Sequence, residues 1–147
     1  MPSVTDPRPP RRRRRRLADG DEVVRTHRNR FDRLVQRAIR SLPTRFAERL
    51  ENVAIVVADE STAGQRRAAG LREGEDLYGL YEGVPQPQRS AGYGMVLPDK
   101  ITLFQRTIEA DCRSEREIAE QVRHTLIHEL AHHFGIDDAR LDELGFD

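Results

Sequence analysis

Three features of the sequence predict an α+β fold, a small mixed β-sheet packed with helices. A helical apolar pattern opens the foldable part of the chain, three or four short strand-like runs occupy its middle, and a long amphipathic helix lies near the C-terminus. No internal repeat interrupts that order. At 147 residues, 37% apolar and 34% charged, the chain has the length and composition of one soluble globular domain.

The first 20 residues stand apart from that domain. Residues 1–16 hold seven arginines and one aspartate, whereas residues 17–147 carry an acidic excess of six, so a net charge of zero conceals two oppositely charged parts. Arg11 to Arg16 form a like-charge block beside Pro7, Pro9 and Pro10, which repels itself and offers nothing apolar to pack. Residues 1–20 are therefore expected to be a disordered Arg/Pro-rich tail and residues 21–147 the folded domain. A tail of this kind can meet a polyanion, so any nucleic-acid contact is expected through Arg11–Arg16 only, by charge and without aromatic stacking. The whole chain favours arginine, with Lys100 its one lysine, which makes the run less distinctive.

Within the domain, Phe31, Leu34, Val35, Ala38, Ile39 and Leu42 recur at helical spacing up to Pro43. "TRFAERLE" adds a short helical turn, and "NVAIVVAD" is a β-branched run typical of a buried strand. Residues 60–75 read as a loop with one helical turn. "DLYGLYEG" reads as a strand, "VPQPQRSAGYG" as an irregular connection, and "MVLPDKITLFQR" as two strands around a Pro-Asp-Lys turn. No apolar run approaches the ~18 residues that cross a bilayer. A single cysteine, Cys112, excludes an internal disulfide. With no signal-peptide pattern at the N-terminus, the chain is expected to be cytoplasmic, with no membrane partner.

The last long helix carries the chemistry. Ser114 and Glu117 have the S-x-x-E form of a helix start, and Gly135 is suited to the left-handed residue that stops one. Ile118, Val122, Leu126, Leu130 and Phe134 recur every four residues as an apolar stripe. His124, His128 and His132 recur with the same period, offset by two, which puts them on roughly the opposite side. His128, Glu129 and His132 form the pattern H-E-x-x-H. Histidines one turn apart can converge on one zinc ion, and the glutamate between them can serve as general base toward a zinc-bound water. The pattern extends to "HELAHHFGIDD". Where a longer version of this motif ends in histidine, the turn after the glycine returns that residue to the metal. Here the equivalent position is Asp138, an acceptable zinc ligand. Asp137 is expected to cap the next helix. His124, His133 and Glu143 are the rival third ligands, and Tyr78, Tyr81, Tyr93, Arg123 and Arg140 are candidate oxyanion donors.

These stretches, from about Arg30 to Asp147, resemble the small bacterial zincin-like metallopeptidases, and "VRHTLIHELAHHFGIDDARLDELGF" carries the resemblance most specifically. The resemblance implies a zincin-like domain with its active-site helix near the C-terminus. It also implies one Zn2+ on His128, His132 and Asp138, with Glu129 as the catalytic base in hydrolysis of a peptide or protein substrate. Residues 101–106 are a candidate strand edge for aligning such a peptide. Two other classes fit parts of the sequence: a catalytically silent zinc-binding module, and a zinc-dependent nuclease or RNA-processing protein that uses the arginine tail. Nothing in the sequence indicates an oligomeric state.

Overall fold

The computed structural model describes residues 27–83 and 98–145. The tail expected over residues 1–20, Tyr93 and the strand expected at Met95–Leu97 lie outside them. The chain divides into two units, residues 1–33 and 34–147. The described part of the first is helical from residue 27, and the opening helix, α1, is described over residues 27–40.

In the second unit α1 is followed by α2 (Thr44–Leu50), β1 (Val53–Ala58), α3 (Ala63–Ala68), β2 (Gly79–Glu82) and β3 (Asp99–Phe104). Three further helices complete it, α4 (Gln105–Asp111), α5 (Glu115–His133) and α6 (Asp138–Leu144). Pro43 is the N-cap of α2, which is why the α1 pattern stops where it does. Thr62 and Gln65 cap α3 reciprocally, each side chain taking the other's backbone N–H.

The described strands form one mixed sheet in the order β1-β3-β2. β1 runs parallel to β3, with Val53 opposite Asp99 and Ala58 opposite Phe104. β2 runs antiparallel, with Gly79 opposite Leu103 and Glu82 opposite Lys100. The α+β mixed-sheet architecture is thus the one expected, but three details differ. β1 is half-buried rather than buried, lying at an edge among the described strands, and Val56 is 40% exposed. Asp99 and Lys100 belong to β3 instead of a turn, because both pair with neighbouring strands. Residues 101–106 offer no free edge: β3 is hydrogen-bonded on both sides, and the chain turns into α4 at Gln105.

The core of this unit gathers Ile101, Leu103 and Phe104 from β3, Phe46 and Leu50 from α2, Ile108 from α4 and the inner face of α5. Ile118, Val122, Leu126 and Leu130 are all buried, as the four-residue stripe requires. Ile127 and Ala131 are buried beside them, so the apolar face is wider than the stripe. Phe134 departs from it and is 43% exposed. It is the C-cap of α5, where the helix has already ended, and its ring lies under the Arg49 guanidinium at 4.1 Å. Among the described residues, no helix is long and apolar enough to cross a membrane.

Candidate active site

α5 starts where the sequence indicates. Ser114 accepts the Glu117 N–H at 3.1 Å, satisfying one of the helix's orphan donors. The helix ends at Gly135, whose φ of 80° suits a residue without Cβ. There the Ile136 N–H bonds the Ala131 carbonyl at 2.8 Å and the Gly135 N–H bonds that of His132 at 3.1 Å, closing a Schellman turn. Asp137 then caps α6, accepting the Arg140 N–H at 2.9 Å. The pair of adjacent aspartates is therefore split by role, with Asp137 in the cap and Asp138 as the first residue of the helix. The side chain of Asp138 lies outside the described set.

The face of α5 opposite the core carries the histidine ladder. The ring centroids of His128 and His132 are 5.8 Å apart, close to the rise of one helical turn, and the rings stand edge to face. His124 lies against His128 at 4.0 Å. His133 points elsewhere: it stacks on Tyr81 at 3.9 Å, with its Nε2 3.9 Å from Asp99. Glu143 pairs with Arg140 at 3.0 Å on the surface of α6. As arranged, none of His124, His133 and Glu143 joins His128 and His132 in a three-residue metal set among the described residues.

Glu129 is held by backbone rather than by a cation. Its Oε1 accepts the Tyr81 N–H at 2.9 Å. β2 makes this donor available through its register. The Phe104 N–H bonds the Tyr78 carbonyl, so alternate residues of β2 face β3 and the N–H of Tyr81 points away from it. Gly79 lets the strand come close enough, because a Cβ there would lie 2.6 Å from Thr125 Cγ2 of α5 and 3.1 Å from the Thr102 carbonyl oxygen. Burial raises the pKa of the Glu129 carboxyl above the ordinary carboxylate range, while the Tyr81 N–H and then His132 and His128 pull the other way. Tyr81 stood out only as a candidate oxyanion donor, and neither its backbone role toward Glu129 nor Gly79 showed in the spacing. The signal available was a glycine inside a strand-like run, a mark of close backbone approach.

A cleft of about 320 Å³ opens over this face, with His124, His128, Glu129 and His132 on one wall and residues 76–79 on the other. Asp76 is fixed there by Ser61 Oγ at 2.7 Å, the bond that most lowers its pKa. Two of the candidate oxyanion donors have their hydroxyls engaged: Tyr78 donates to Asp111, and Tyr81 to Asp99 at 2.8 Å. Arg123 lines a separate cavity with Cys112 and Glu117, where burial pushes the cysteine thiol up. Arg140 is the partner of Glu143.

A histidine-bearing helix packed beside a small mixed sheet, with a glutamate between the two histidines, defines a zincin-like class of fold. The family model described as zincin-like metallopeptidase matches residues 50–146, and the chain belongs to that family. No curated protein matches the sequence. Among solved structures, a conserved hypothetical protein from T. thermophilus is similar at 22% identity and a TM-score of 0.46, over 80% of this chain and 96% of that one.

Proposed function

We propose that this chain is a zinc-dependent metallopeptidase whose metal is held by His128, His132 and Asp138, with Glu129 as general base. The observation that carries the reading is the placement of Glu129. Its carboxylate is fixed at the cleft by the Tyr81 N–H, between two imidazoles one turn apart, and is not itself needed as a ligand. Two neutral imidazoles and one carboxylate are a donor set that suits zinc and leaves a position open. The Schellman turn at Gly135 reverses the chain directly after the histidines, which supports the residue opening α6 as the third ligand. When bound, zinc supplies Lewis acidity, polarising the scissile carbonyl and bringing the pKa of a water to about 7.

Glu129 supplies the proton transfers. With Oε1 occupied by the Tyr81 N–H, Oε2 receives the proton of the attacking water and returns it to the nitrogen of the leaving amine. Partial burial makes the carboxylate a stronger base than one in water, which suits the task near neutral pH. The backbone hydrogen bond keeps that carboxylate oriented without neutralising it. Peptide hydrolysis is favoured over the nuclease reading because the glutamate lies between the ligands, positioned toward an attacking water.

The ligand assignment is tested by metal content under matched chelator. Asp138→Ala should lose zinc at chelator concentrations that the wild type survives. Asp137→Ala should keep it and lose only the cap, about 1 kcal/mol of stability. Equal retention in both variants would remove Asp138 from the metal.

A further inference from the structure

A second cavity, about 620 Å³, is lined by Tyr81 and His133, neither of which lines the histidine cleft. Arg45 and Arg49 of α2 form one wall, and Tyr81, Asp99, His133 and Phe134 face them. It is joined to the catalytic site through two residues: the Tyr81 N–H holds Glu129, and His133 directly follows His132. The walls differ in how far their charges are already used. Asp99 takes the Tyr81 hydroxyl at 2.8 Å and is approached by His133 at 3.9 Å. The Arg49 guanidinium carbon lies 4.1 Å from the centre of the Phe134 ring, a contact that restrains the guanidinium beside the cavity. Arg45 enters no ion pair among the described residues, and both arginines are exposed.

We propose that this cavity is a subsite for a carboxylate of the substrate, held by Arg45 and Arg49. The inference rests on the peptidase reading for its ligand: Tyr81 lines this cavity and its N–H holds Glu129, which sets the cavity beside a peptide bound at that carboxylate. A planar guanidinium recognises a carboxylate through paired N–H donors, and an ordered one loses less freedom in doing so. The carboxylate has two possible sources, an Asp or Glu side chain near the scissile bond or the C-terminus of a short peptide. Glu48 lies on the same wall between the two arginines in sequence and opposes an anion, so its removal should strengthen the preference.

The test measures binding, using full-length protein carrying Glu129→Gln so that no peptide is consumed. Three labelled peptides of one parent sequence are titrated by fluorescence anisotropy: one with an acidic side chain and an amidated C-terminus, one neutral with a free C-terminus, one neutral and amidated. The first or the second should bind about fivefold or more tightly than the third, and which of them does so identifies the source. That ratio should fall to about one when Arg45→Gln and Arg49→Gln are combined, and should rise in Glu48→Gln. Single arginine variants give the same reading in part if the double variant melts early. Equal binding of all three peptides would overturn the proposal. So would a preference that survives loss of both arginines, as one created by Arg11–Arg16 would. Because the readout is affinity, failure of the chain to hydrolyse peptides would count against the peptidase reading and leave the carboxylate preference separately measurable.

Discussion

On one face of α5, Ile118, Val122, Leu126 and Leu130 are at most 6% exposed, while on the other His124 and His132 are open to solvent and His128 is half-buried. The two faces share a four-residue period and one backbone, yet their side chains answer to different demands. The inner face is set by volume, since each residue must fill space against β3, α2 and α4. On the proposed function the outer face is set by direction, since imidazoles and a carboxylate would have to meet at a point over the cleft. Stability should therefore depend on the first face, and metal binding and turnover on the second.

The largest test of that division is a pair of alanine variants. Leu126→Ala, at a fully buried position, should cost about 2–5 kcal/mol in denaturant unfolding by leaving a cavity. His128→Ala, two residues on, should unfold close to the wild type when both are stripped of metal, and should bind no zinc. A smaller effect is expected where the two faces meet. Gly79→Ala would push β2 away from Thr125 and should cost about 1–3 kcal/mol. Because the same strand carries the Tyr81 N–H, it should also lower kcat. An alanine variant as stable and active as the wild type would show that the close approach is not what positions Glu129.

The smallest effect is electrostatic. Burial raises the folded-state pKa of Glu129, so the folded, metal-free protein holds that proton more tightly than the unfolded chain. The sign follows: stability falls as pH rises from the ordinary carboxylate range through the raised value. Glu129→Gln has no such titration. Without metal it should match the wild type at low pH and exceed it at neutral pH, by about 1 kcal/mol or less because water screens a partly buried carboxylate. Urea unfolding across that range decides it, and a gap of opposite sign would contradict the assigned burial.

How much of this was legible beforehand follows the kind of information each feature uses. The α5 stripe, its Ser114 cap and its Gly135 stop were readable because they depend on neighbours within a few residues, and the structure has all three, except that Phe134 leaves the stripe where the helix ends. The split between Asp137 and Asp138 was half readable, as the cap is local whereas a metal ligand depends on where the chain goes next. Strand order was not readable. The run "VAIVVA" suits a central strand as well as a half-buried edge, and only the pairing of β3 with both neighbours decides between them. Nor could spacing reveal that Tyr81 would offer its N–H to Glu129, a contact 48 residues apart in the chain that depends on strand register and on the missing Cβ of Gly79.

The central claim is that Glu129 acts on the water and does not hold the metal. Zinc content and peptide cleavage measured on the same preparation of Glu129→Gln test it most directly. The account predicts one zinc per chain, as in the wild type, with cleavage reduced about 10²-fold or more. Cleavage at the wild-type rate, or zinc lost together with activity, would contradict it.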